Sequence, residues 1–298
     1  MKFFNLLALI GIIAVININI YAQEVEEEPE ETTEDNIWED NMQMKFSVSH
    51  PTVEIKYGMG NPYFHDAVFN STFESVNSLE VRLGFLKKES EIFDENIYDY
   101  SFNYLLFQNM TSSWDKSKNE TSSKINTDAW QFGFGFSKGY GYKLGENTDL
   151  SLYSTGAMIW TTVDFMDTST ILNDQKRLNY FGDSFRFGDY FEGGINFQVY
   201  EPVAVTLAYQ QTLIYPRFLI WKAMGSGIVE GVGSIAISWF SGKVLKASPT
   251  WGPIVHFVLT NAYSYGYNQL RKKNMCWPFD TDTPLMYDNF KVGVSLSF

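Results

Sequence analysis

The chain has 298 residues, a formal net charge of −13, and 45% hydrophobic and 17% aromatic residues. A chain this acidic has no basic field with which to displace counterions from a phosphate backbone, so nucleic-acid binding is excluded as an expectation. One cysteine (Cys276) and three histidines (His50, His65, His256) leave no material for a disulfide framework or a zinc cluster, and the aromatic content excludes disorder along the whole length.

Residues 1–22 open with Lys2, run apolar from Leu6 to Tyr21 and end on a small residue, Ala22, before a polar one. That order predicts a secretory signal peptide cut after Ala22, with an uncleaved membrane anchor as the alternative. No cysteine lies near the cut, so no lipoprotein is expected. Residues 23–42 follow as an acidic leader. Ten acids and no base fall in 23–40, around Pro29, and like charges at that density predict disorder. They lack the regular spacing and glycine of a calcium loop.

From residue 43 to 298 the pattern is alternation of apolar and polar residues, the period of strands. Val53-Glu54-Ile55-Lys56-Tyr57, Leu79-Glu80-Val81-Arg82-Leu83 and Trp130-Gln131-Phe132-Gly133-Phe134 are early cases, and Phe290-Lys291-Val292-Gly293-Val294-Ser295-Leu296-Ser297-Phe298 closes the chain. Strands are predicted near 43–60, 78–88, 97–108, 128–142, 149–164, 186–199, 203–215, 227–240, 252–267 and 287–298. Broken alternation at Ser154 to Ala157 predicts a bulge. The apolar face is rich in Phe and Tyr. The polar face is rich in Gly and Ser, which suits a crowded interior better than a wet surface. Connections after even-numbered strands are short and most of the others are long, the habit of transmembrane barrels. The expectation is an all-β, up-and-down antiparallel β-barrel of about ten strands, apolar face outward to lipid and polar face inward. Tyrosines at 140, 142, 263, 265 and 267 are expected as interfacial girdles. The alternative is eight strands with a helical insert over 216–275, since Phe218-Leu219-Ile220-Trp221 can begin a helix and Gly227 and Gly231 have the spacing at which membrane helices pack. The lipid-facing assignment also predicts that Phe134→Arg costs more than Gly133→Ser.

On these residues the chain resembles the small integral outer-membrane β-barrels of Gram-negative bacteria. The last strand, with Phe290, Val292, Val294 and Leu296 at alternate places before the terminal Phe298, is similar to the signal that the barrel-insertion machinery reads in that class. Leu296 stands where an aromatic is frequent. The resemblance implies outer-membrane localisation and contact with outer-membrane lipids. It implies no particular activity.

Charges on the polar face are the first functional candidates: Glu54, Lys56, Glu80, Arg82, Glu192, Glu230 and Lys291. Neighbouring strands are expected to set Glu54 and Lys56 against Arg82 and Glu80, and closure is expected to bring Lys291 beside the first strand. The expected result is a plugged lumen, with a narrow path for a solute or lipid-like ligand as the alternative. His256, placed on the inner face of the strand at 252–267 with Glu230 on the adjoining strand and Thr260 and Ser264 nearby, is the hydrolase candidate. Its sequence context matches no hydrolase motif. No catalytic residue, cofactor site or metal site is assigned. The loops at 61–77, 216–222 and 270–279 combine aromatics with basic groups and are expected to meet lipid headgroups or an extracellular or envelope protein. The function expected is adhesion, anchoring or envelope integrity through these loops.

Overall fold

The structure, a computed structural model, describes residues 49–298 apart from 66–68, 91–93, 95, 113–123, 167–170 and 183. The signal-peptide and leader expectations for 1–22 and 23–42 lie outside the described residues. Eight strands form a closed barrel in chain order. They are β1 (Ser49–Tyr63), β2 (Val76–Ser90), β3 (Ile97–Thr111), β4 (Thr127–Lys143), β5 (Asp149–Phe165), β6 (Arg186–Tyr200), β7 (Val203–Ile214) and β8 (Leu285–Ser297). Every pair is antiparallel, and β8 pairs with both β7 and β1. Eight strands give an interior just wide enough for side chains to fill. Each has 12–17 residues, more than the 9–11 or so that cross a bilayer when tilted.

Alternation in the sequence becomes alternation of burial. β3 corrects the expected orientation over its first half: the aromatic face, Tyr98, Tyr100, Phe102 and Tyr104, points inward and is buried, while Asp99, Ser101 and Asn103 face out. Further along, Leu106 is inside and the outward Leu105 and Phe107 are 58% and 56% exposed. In β2, Arg82 is 1% exposed, while its apolar neighbour Leu83 is exposed. Buried charge at mid-barrel inside and a band of exposed large apolar residues outside reverse the order of a soluble barrel and are the arrangement that lipid requires. This holds even though aromatic layers also fill the ends of the lumen and Asp99 and Lys138 face out near the short-turn end. The outward positions of β8 are Phe290, Val292, Val294 and Leu296, all exposed, and the amide of the terminal residue, Phe298, donates to the Pro51 carbonyl at 2.9 Å.

The connections sort into two ends. Those after β2, β4 and β6 are short, down to the Glu201-Pro202 pair; those after β1, β3, β5 and β7 are longer and share the opposite end. The β5–β6 connection holds a short helix, α1 (Leu172–Asn179). The β7–β8 connection holds two long ones, α2 (Ile220–Ala247) and α3 (Gly252–Arg271), joined through 248–251.

This corrects the ten-strand expectation. The segments read as strands at 227–240 and 252–267 are α2 and α3, and eight strands with a helical insert is the architecture found. Helix propensity is a weak prior that surroundings override. Glycine, serine and β-branched residues are tolerated in helices that pack on other elements, here on each other and on the barrel wall. Pro253 sits in the first turn of α3, where its missing N–H removes no helix bond.

The bulge expected near Ser154 is also absent. β5 pairs without a register shift with β4 and with β6 through that stretch. The shift among these pairings lies between β6 and β7, at Gln198/Tyr200. The loss of alternation in β5 has another cause, described below.

Candidate functional site

Two features carry the candidate chemistry: a charged plug in the lumen, and the contact between the hairpin and the barrel wall.

The plug begins with register. Glu54 on β1 faces Arg82 on β2, and Lys56 faces Glu80. All four point inward, and so do Lys291 from β8 and Glu192 from β6. Three cations and three anions therefore meet in one layer. Glu192 is the hub. Its two oxygens take both guanidinium NH2 groups of Arg82, at 3.0 and 2.7 Å, in the forked geometry that makes arginine–carboxylate pairs strong. Lys56 Nζ reaches the same carboxylate at 2.7 Å and Glu54 at 3.3 Å. Arg82 Nε donates to Glu80, whose other oxygen receives Lys291 Nζ at 2.6 Å.

Neutral groups complete the shell. Tyr153 donates to Glu192 at 3.0 Å, Thr206 donates to Glu54 at 2.9 Å, and the Tyr190 hydroxyl accepts from Arg82 at 3.1 Å. The Arg82 guanidinium lies 4.5 Å from the Tyr104 ring centroid. Burying six charges carries a desolvation cost, and this density of hydrogen bonds is what offsets it.

Packed layers lie on either side of the plug. Toward the short-turn end the lumen is filled by Tyr98, Tyr100, Phe102 and Tyr153, with a Lys88–Asp149 pair at 3.0 Å beyond them. Toward the long-connection end it is capped by Val76, Met110, Val163, Phe181, Leu285 and Tyr287. Phe64 and Phe73, from the loop at 61–77, pack against that cap. The Phe64 ring lies 4.8 Å from Phe69 and 5.3 Å from Phe181. These loop aromatics thus form an inward lid instead of an outward surface.

The hairpin lies against the outside of the barrel, on the face of β4, β5 and β6. At the short-turn end the Tyr142 hydroxyl donates to the Thr250 carbonyl at 2.7 Å, and the Tyr140 ring meets His256 edge-on at 5.0 Å. At the long-connection end Arg271 of α3 clamps Asp189 of β6 at 2.6 and 3.1 Å. Tyr215 bonds both partners of that clamp.

Between these ends the wall is lined by small residues. Ser154 pairs across the strands with Gly193, and both face out. Gly156 lies two residues further along β5. A side chain at Gly193 would run into the Asn261 carboxamide of α3. The contact of this strip with α3 accounts for part of the lost apolar rhythm of β5: Gly193, the partner of Ser154, meets the helix, whereas a side chain at Gly156 would meet only the Phe136 ring of β4. Enlarging the strip should lift the helix. Gly193→Leu is expected to cost about 1–3 kcal/mol locally by overpacking. Hydrogen exchange should then speed up around Asn261 and stay unchanged in β1–β3; equal acceleration in both places, or none in either, would contradict the docking.

Two sequence-derived candidates fall outside the lumen. Glu230 and His256 lie on α2 and α3, not on barrel strands, so neither joins the plug. His256 Nδ1 and Ser241 Oγ lie 2.8 Å apart, a pair that strand arithmetic did not anticipate. Ser241 is nevertheless turned into the seam and bonded to the Ile237 carbonyl, and among the described residues no carboxylate bonds His256. Glu230 is 11 residues from Ser241 along α2, about 16 Å at helical rise. The nucleophile–base–orienter geometry of a hydrolase is not assembled. Tyr263 and Tyr267, expected in a girdle, instead turn toward α2, where Tyr267 bonds Ser226 and Tyr263 bonds the Glu230 carbonyl. Among the described residues no group of His, Cys, Asp and Glu is placed to hold a metal.

The described chain closes as a barrel of eight antiparallel strands. Among solved structures it is similar to Neisserial surface protein A, at 8% identity and TM-score 0.38, covering 83% of this chain and 97% of that one. It is also similar to Ail, the attachment invasion locus protein of Yersinia pestis, at 10% identity and TM-score 0.32, covering 84% and 99%. No protein-family model matches the chain, and no curated protein matches it.

Proposed function

We propose that this chain is an outer-membrane barrel with a sealed lumen, serving as an anchor whose long-connection end acts in adhesion, attachment or envelope integrity. The observation that carries the reading is the plug: six charges neutralise one another across the lumen, with packed layers above and below. A solute path would need a continuous open passage, whereas here the charge layer and the packed layers on either side of it occupy the lumen. They do so although some buried inward polar atoms, Ser78 Oγ, Gln108 Nε2 and Gln131 Oε1 among them, have no hydrogen-bond partner. Outer-membrane lipids are the natural partner of the exposed apolar wall. The outward face of β8, ending on Phe298, is the part offered to the barrel-insertion machinery.

At the long-connection end, Trp221 and Phe279 are exposed beside Arg217 and Lys222. Arg217 pairs with Asp282 at 2.5 Å, and Lys222 Nζ caps the Asp280 carbonyl at 2.7 Å. The stretch 280–282, which follows the loop at 270–279, is thereby tied back to the segment at the start of α2. This gives the end a fixed shape with aromatic and basic groups on it, the composition of an interface for a lipid headgroup or an envelope protein.

Planar-bilayer recording of the folded chain tests the sealed reading. A flat trace at the level of protein-free bilayers is expected. Unitary current steps of constant size would overturn it in favour of a narrow transporter. In the same preparation His256→Ala should leave ester cleavage at background; a cleavage activity that this variant abolishes would instead establish the hydrolase.

A further inference from the structure

We infer that the α2–α3 hairpin is itself embedded in the hydrocarbon beside the barrel, and that the face of α2 turned away from α3 is a contact surface for lipid acyl chains. The inference rests on the reading of the barrel as bilayer-embedded and adds to it a helical element crossing the same membrane.

Four observations carry it. The first is length and composition. From residue 223 to 242 α2 has one charged residue, Glu230, and α3 has none from 252 to 270. At about 1.5 Å per residue those 20- and 19-residue stretches measure about 30 Å, the thickness of the hydrocarbon core.

The second is exposure. An apolar helix in a soluble protein is a core helix and is mostly buried. Here only 11% of the most apolar stretch of α2 is buried. Trp221, Ile228, Val232 and Trp239 form one outward row, with Trp221 80% and Val232 64% exposed. A contiguous apolar face of this extent is rare against water, and it needs no explanation against acyl chains.

The third is depth. The hairpin's turn meets Tyr142 at the short-turn end of the wall, and the far end of α3 meets Asp189 near the other end. The hairpin therefore covers the same height as the lipid-facing strands.

The fourth is the placing of polar groups. Ser226 and Ser241 of α2 and Tyr263 and His256 of α3 bond into the seam between the helices. Lys222 stands at one end of α2, and Lys243 and Lys246 at the other. Polar groups in the seam and basic groups at the ends are what a membrane-crossing helix requires. Acyl chains are favoured over a second copy as occupant because the outward row of Trp221, Ile228, Val232 and Trp239 is bulky, whereas close helix association in lipid uses small residues. Gly227 and Gly231, which have that spacing, flank the row and meet no neighbour, so a second copy is the competing occupant that the test below reads.

Single-cysteine variants of the full chain, in a Cys276→Ser background, test this. Leu105→Cys on the barrel wall, Val232→Cys on α2 and Asp282→Cys at the long-connection end are each labelled with bimane. The labelled proteins are folded into phosphatidylcholine vesicles with brominated acyl chains. Val232 is expected to lose as much fluorescence as Leu105, while Asp282 keeps its signal. Quenching at Leu105 without quenching at Val232 overturns the inference and leaves the barrel reading intact. This holds whether water or a protein covers α2; a dependence of the Val232 signal on protein-to-lipid ratio identifies a second copy. Absence of quenching at both positions overturns the barrel reading as well.

Discussion

Arg82→Ala should destabilise the folded barrel by about 3–5 kcal/mol, the cost of leaving buried charge uncompensated. Arg82 touches all three carboxylates of the plug: Glu192 through two bonds, Glu80 through Nε and Glu54 at 3.4 Å. Without it two lysines face three glutamates in a dry interior. Arg82→Lys should recover only part of the loss, because an ammonium cannot span the two oxygens of Glu192. The paired change Arg82→Leu with Glu192→Leu leaves Lys56 and Lys291 facing Glu54 and Glu80, and should cost less than Arg82→Ala alone. Urea unfolding of the three variants in lipid vesicles gives the comparison. A loss below about 1 kcal/mol for Arg82→Ala, the level of an exposed pair, would contradict the plug.

The second large effect belongs to the opposite face. Leu105→Arg places a charge at mid-strand between Leu83 and Phe134, its outward neighbours on β2 and β4. In a bilayer this should cost about 2–4 kcal/mol. Ser295→Ala, on the inner face of β8, removes one weak 3.4 Å bond from Asn196 and should cost about 1 kcal/mol or less. The inner-face control suggested by the sequence, Gly133→Ser, is unsuitable. A Cβ at Gly133 would collide with the Met158 carbonyl and press on Ile159, so it should cost about 1–3 kcal/mol through overpacking. Equal losses for Leu105→Arg and Ser295→Ala would contradict the orientation of the wall.

The sequence makes eight strands legible because the two faces of each strand meet unlike surroundings, and that contrast prints a period of two. The period alone does not report which face meets lipid, since in β3 Tyr98, Tyr100, Phe102 and Tyr104 turn inward while Asp99, Ser101 and Asn103 face out. The pairing of β1 with β2 follows from their adjacency, so Glu54 opposite Arg82 is accessible to strand arithmetic. Glu192 as the hub is not: it comes from β6, across the lumen, and no local pattern reports cross-barrel distance. The hairpin escapes for a different reason. A helix facing acyl chains needs no polar stripe and prints no period of 3.6, while its glycines and β-branched residues resemble those of a strand. The sign that was there is length: 20 residues from 223 to 242 with one charge are about twice what a tilted strand needs to cross a bilayer. The same hairpin accounts for Gly193 and its partner Ser154 on the outer wall, whereas in isolation the stretch from Ser154 to Ala157 reads as a bulge.

Everything proposed for this chain depends on apolar residues facing outward from a closed barrel, and folding without residues 1–22 tests that most directly. Chain 23–298, refolded from urea with and without phosphatidylcholine vesicles, should acquire its β-sheet spectrum and a heat-sensitive gel mobility only when lipid is present. A monomer that reaches the same folded spectrum in plain buffer and stays in solution would contradict the account.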